Sequence, residues 1–170
     1  MSKIFDVQDR MLSLLTSDVF FNDPNRSPDP MIPVLSQRKA DIANEVQNAL
    51  NNTGLCVLIM LPRINFEGID QRIMLRLLFA VVVSENPTIN EVRWNVPAEA
   101  VMEKIFTLVN WQPNLPAPEF NPLGPPRTGP RDRASRFVIV DPAATLMEPT
   151  KNMPSLLNYV LNFETRLTIP

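Results

Sequence analysis

The 170-residue sequence has no histidine and only one cysteine, Cys56. Without imidazole, neither a Ser–His–Asp triad nor a Cys–His pair can be built, and zinc sites of the Cys/His type are excluded. One cysteine allows no intramolecular disulfide. Its place in the run Leu55-Cys56-Val57-Leu58-Ile59 reads as a small buried hydrophobe. Glycine is scarce, with four residues in the whole chain, and no Gly-x-Gly-x-x-Gly or phosphate-loop pattern occurs. No apolar run reaches the ~18 residues of a membrane span. The N-terminus, Met1-Ser2-Lys3-Ile4-Phe5-Asp6, lacks the apolar stretch of a signal peptide, so the expected place of work is a cytoplasm. A net charge of −2 supplies no general field toward nucleic acid or an anionic membrane.

Proline is abundant: 18 residues against those four glycines. Proline fixes φ and removes a backbone donor, so it stiffens loops and stops helices. The first proline-rich stretch, 22–34, reads as an extended connection. The second, 112–134, holds seven prolines and no periodicity. A loop of that length within one domain usually carries a function or is disordered.

The remaining segments have a readable period. Val7, Met11, Leu14 and Leu15 lie on one face of a short helix at 6–16. Residues 37–52 form the clearest helix, with Ser36 as its cap and Ile42, Ala43, Val46, Ala49 and Leu50 as its apolar stripe. Gly54 follows as a stop. Residues 55–61 are continuously apolar, as in a strand covered on both faces. Across 71–85 the odd positions, from Ile73 to Val83, are apolar, while the even ones include Arg72, Arg76, Ala80 and Ser84, which is strand alternation. These two runs are expected to pair as an antiparallel hairpin around an exposed loop at 62–70. Residues 97–110 form a helix opened by Pro97. Residues 136–147 read as an edge strand broken at Asp141-Pro142, and 156–169 as a closing strand. The expected fold is a single α+β domain over 1–170: an antiparallel or mixed four-stranded sheet with helices packed on one face. A helix and extended arm (1–35) precede it, and the proline-rich insert (112–134) interrupts it.

Chemistry is sparse. Carboxylate pairs such as Glu67 with Asp70 and Glu99 with Glu103 read as solvated surface charge instead of an acid–base pair. No metal, cofactor or catalytic residue is expected. The local charge bias is basic: Arg127, Arg131, Arg133 and Arg136. No aromatic residues are interleaved to stack on bases, so a protein partner fits this stretch better than nucleic acid. Trp94 and Trp111 flank the 97–110 helix. Trp111 is an interface candidate beside those four arginines, and a loop anchor at the core rim is the plainer reading.

Several segments carry a family likeness. Val81-Val82-Val83-Ser84-Glu85-Asn86-Pro87-Thr88-Ile89-Asn90 resembles the strand ending in Glu-Asn-Pro of many phage tail proteins. The helix ending in Leu108-Val109-Asn110-Trp111-Gln112-Pro113 resembles their helix before a Trp-x-Pro turn. The segments from Ala40 to Leu50 and from Gly54 to Ile59 resemble their helix-then-strand entry, and Tyr159, Leu161 and Phe163 their closing strand. In this order the segments resemble phage tail-terminator and tail-completion proteins, over 37–113 and 155–169. The resemblance implies a non-enzymatic structural protein that forms a homo-oligomeric ring, commonly a hexamer, to end or complete the tail tube. Its partners would be its own copies and other tail proteins, first in the host cytoplasm and then in the virion tail. The 112–134 insert and the 1–35 extension depart from the family pattern. The alternative reading is a small bacterial protein-binding or regulatory module without catalysis.

Overall fold

The computed structural model describes residues 3–25, 31–69, 72–93, 95–115, 136–147 and 156–169. The elements run α1 (Lys3–Thr16), β1 (Val34–Ser36), α2 (Ile42–Asn52), β2 (Leu55–Ile59), β3 (Arg63–Ile69), β4 (Arg72–Glu85), α3 (Pro87–Arg93), α4 (Ala98–Val109), β5 (Val138–Met147) and β6 (Leu157–Ile169). The class is α+β, as the periodicities imply. The sheet is mixed and has six strands, not four, in the order β1-β2-β4-β6-β5, with β3 also pairing β4.

The centre of the sheet is the β4–β6 ribbon, paired without a register break from Ile73↔Ile169 to Glu85↔Leu157. The odd positions of β4 from Leu75 to Val83 face one layer, and Leu75, Leu77, Phe79, Val81 and Val83 are buried there. They meet Leu161, Phe163 and Leu167 of β6 and Leu55, Val57 and Ile59 of β2. Helices α1 and α4 close this face with Val7, Met11 and Leu15 from one and Val101, Ile105 and Val109 from the other. Fully burying a side chain of this size contributes roughly 1.5–3 kcal/mol, so this layer is the main source of stability. Phe79 and Phe137 meet edge to face at 6.0 Å within it. The N-terminal helix is therefore part of the main core. Phe21, just before the 22–34 connection, and Ile32 within it are also buried in this core.

The helices do not all share one face. Cys56 alternates with Leu55 and Val57, so it points to the opposite side of the sheet. There α2 covers it with Leu50, and Leu156 completes a small second cluster flanked by Leu35, Val46 and Ala49. Farther along this second face the sheet is polar. Arg76 Nη2 donates to Glu164 Oε2 at 2.6 Å, and Ser84 Oγ to Asn158 Oδ1 at 2.6 Å.

Two expected boundaries move. The 37–52 helix starts at Ile42, because Val34-Leu35-Ser36 is drawn into parallel pairing with Val57-Leu58-Ile59. Ser36 thus lies in a strand and caps nothing, and Asp41 takes the position before the helix. The expected loop at 62–70 is largely strand. Residues Arg63–Ile69 pair with β4 from Arg63↔Leu78 to Ile69↔Arg72. The β2–β4 pairs sum to 140 (Ile59↔Val81) and the β3–β4 pairs to 141 (Arg63↔Leu78). One extra residue near Leu61-Pro62 therefore bulges what is otherwise a single long hairpin arm.

Candidate functional site

Three places in the fold collect residues that the sequence singles out. The first is the exit of α4. Trp111 follows the helix in a left-handed conformation, φ 66°, which a bulky residue adopts only when its surroundings impose it. Here the backbone is clamped on both sides. Trp111 N donates to Phe137 O at 2.7 Å, and Phe137 N donates to Gln112 O at 2.9 Å. Arg136 Nη1 donates to Trp111 O at 2.7 Å, and Ile139 N donates to Asn110 Oδ1 at 3.2 Å. Trp111 as a whole is 45% exposed. Trp111 and Arg136, both expected at an interface, are thus brought together. Part of the arginine's role is structural, since it holds the turn that presents the tryptophan. Arg127, Arg131 and Arg133, like Trp94, lie outside the described residues.

The proline-rich insert is anchored at this corner. Pro113 bridges Arg136 in antiparallel fashion. Asn114 is buried and donates through Nδ2 to Thr165 Oγ1 at 2.9 Å and to the Arg166 carbonyl at 3.0 Å. Leu115 is buried in the main core. Residues 112–115 therefore belong to the fold, and the rest of the insert, 116–134, lies outside the described residues.

The second place is the Glu-Asn-Pro stretch. Glu85 is buried at the end of β4, where its Oε2 accepts the Ala98 N–H at 3.2 Å, a free donor of the first turn of α4. Its Oε1 accepts from Asn90 Nδ2 at 2.6 Å, and that amide also donates to the Val96 carbonyl at 2.8 Å. Gly54 O accepts from Asn86 N at 2.8 Å. Glu85 and Asn90 therefore fix α3 and the start of α4 against the sheet. The geometry gives them a structural task. Nearby, Tyr159 donates its hydroxyl to Glu99 Oε1 at 3.0 Å. Partial burial, followed by that hydrogen bond, raises the phenol above its ordinary value.

The third place is β3, which the sequence reading treats as a loop. Ile64 is 40% and Phe66 76% exposed, on the strand face that carries Leu75 and Leu77 of β4. Arg63, Asn65 and Glu67 alternate with them on the other face. Glu67 lies 3.6 Å from Arg166 Nε. The alternation Arg-Ile-Asn-Phe-Glu was present in the sequence as a strand signal, but Pro62 and the Gly68 that ends it read more strongly as loop punctuation.

Among the described residues no group of three or more His, Cys, Asp or Glu side chains is placed to hold a metal ion. No helix among them is long and apolar enough to cross a membrane. No protein-family profile matches the chain, and no curated protein matches it in sequence.

Proposed function

We propose that this chain is a structural assembly protein of a phage or prophage tail, which closes with copies of itself into a ring that terminates or completes the tail tube. The observation that carries the reading is the sheet's two unlike flanks. On one side β1 and then β3 are outermost, and β3 bears the exposed Ile64 and Phe66. On the other side β5 is outermost, with Val140 47% exposed and Trp111 near its start. A ring requires each subunit to offer two different, complementary surfaces. Bare strand edges are also a hazard unless another element pairs with them or covers them. The segment order from Gly54 through the Glu-Asn-Pro stretch to Trp111 supports the tail family in particular. On this reading the partners are other copies and tail proteins, and no reaction is catalysed.

The test is electron microscopy of the concentrated protein, with its mass measured by light scattering. Closed rings of one fixed subunit number are expected. If no species larger than a pair of chains forms at the highest concentration, and purified tail tubes capture none of the protein, the ring reading fails.

A further inference from the structure

We propose that the outer edge of β3 is self-complementary and pairs two copies of this chain antiparallel about a two-fold axis through Asn65. Among the described residues β3 pairs with β4 alone, so its second edge is open to a further strand. Arg63, Asn65 and Glu67 occupy one face of that strand, and Ile64 and Phe66 the other, as their registers with Leu78, Arg76 and Met74 and with Leu77 and Leu75 require.

An axis at Asn65 sets Arg63 of each copy against Glu67 of the other. It also sets each Ile64 against the other copy's Phe66, and Asn65 against itself. Opposite charges then meet twice on one face, and the apolar side chains meet twice on the other. Neighbouring registers do not achieve this. Moving the axis half a residue sets Arg63 against Phe66, and parallel pairing sets Arg63 against Arg63. A one-residue slip turns each side chain to the wrong face. The edge is therefore selective for a second copy in a single register.

Arg166 reaches Glu67 at 3.6 Å, longer than a hydrogen bond, so the carboxylate keeps acceptor capacity for a second guanidinium. Pairing stops at Arg63, because Pro62 has no N–H to donate. An isologous contact of this kind closes on itself as a pair and does not propagate into a ring. The inference therefore concerns the free chain, and it does not rest on the tail reading.

Cross-linking and mass together test it. Residues directly opposite in an antiparallel pair bring their Cβ atoms to about 4.5–5.5 Å, close enough for a disulfide after slight adjustment. The only native thiol, Cys56, is buried, so Asn65→Cys introduces the reactive one. Under mild oxidation Asn65→Cys should give a covalent dimer, whereas Asn51→Cys, exposed on α2, should not at the same concentration. Arg63→Glu and Glu67→Lys should each raise the dimer Kd about tenfold by opposing like charges twice. Mixing the two variants should restore wild-type affinity, because each then supplies the charge the other lacks. That rescue also shows that both variants fold. A monomer at every concentration, a dimer indifferent to both substitutions, or Asn65→Cys cross-linking no faster than Asn51→Cys would each overturn the pairing. A larger ring unchanged by Arg63→Glu would overturn it, and would also remove the β3 edge from the two flanks on which the ring reading rests.

Discussion

Gly54→Ala is the substitution for which the structure gives the sharpest expectation. Gly54 ends α2 at φ +77°, and it lies under the first turns of α3. A Cβ there would stand 2.3 Å from Asn90 N, 2.7 Å from Asn90 Cα and 2.9 Å from the Ile89 carbonyl carbon. All three are backbone atoms, so no side chain can swing aside. The left-handed conformation alone costs a non-glycine residue about 1–2 kcal/mol, and forcing an extra carbon into packed structure costs about 1–3 more. Relief by moving α3 would draw Asn90 away from Glu85, whose carboxylate accepts from it at 2.6 Å, so the strain has no inexpensive outlet. The expected loss is about 2–5 kcal/mol. With a urea m-value of about 2 kcal/mol/M, that is a fall in midpoint of roughly 1–2.5 M with m unchanged. The assay is equilibrium urea unfolding followed by circular dichroism. A loss below about 1 kcal/mol would mean that α3 does not press on Gly54 as described. Asn95→Gly is the control: its φ is 49° and the residue is exposed, so removing its side chain should change stability by less than about 0.5 kcal/mol.

Three further outcomes follow from the same geometry. Glu85→Gln keeps the shape but can accept from only one of Asn90 and Ala98 without turning a donor toward the other, so it should cost about 1–3 kcal/mol, read as a lower Tm. Burial pushes the Cys56 thiol up to about 12, so it should resist alkylation by iodoacetamide at pH 8 in the folded protein and react once urea is added. Since its folded value is raised, the stability it contributes is complete below about pH 9, the ordinary thiol value, and declines as pH rises from there toward 12. Replacing residues 116–134 with a short Gly-Ser linker should leave Tm nearly unchanged, because Pro113 and Arg136 already lie side by side and closing a shorter loop costs less entropy. Extending the cut to Asn114 and Leu115 should destabilise the fold by about 2 kcal/mol or more, since both are buried. A large loss from the 116–134 replacement would show that the insert packs on the domain.

The elements that depend on their own periodicity are legible in the sequence. The odd positions of β4 and β6 are mostly apolar and the polar residues of these strands fall mainly at even positions, because one sheet face is buried beneath α1 and α4, and burial imposes that bias on composition. The break expected at Asp141-Pro142 appears as register shifts between Ile139 and Asp141 and between Asp141 and Thr145, as proline in an outermost strand requires. The candidate site was legible only in part. Trp111 and Arg136 were named from residue type, but the hydrogen bond that joins them spans 25 positions and leaves no local trace.

By itself, then, the sequence determined the class of the fold, the central strands, the two longer core helices and the exclusion of histidine- and thiol-based chemistry, because each of these follows from residue type or from spacing within one segment. Only the tertiary structure decided the rest. Val34-Leu35-Ser36 is a strand because Val57 to Ile59 offers it an edge, and Arg63 to Ile69 is a strand because Arg72 to Leu78 runs beside it. Glu85 is a buried brace and not a surface charge because the start of α4 and Asn90 converge on it. In each case the deciding hydrogen bonds come from residues distant in the chain or across a turn, and no period within the segment records them.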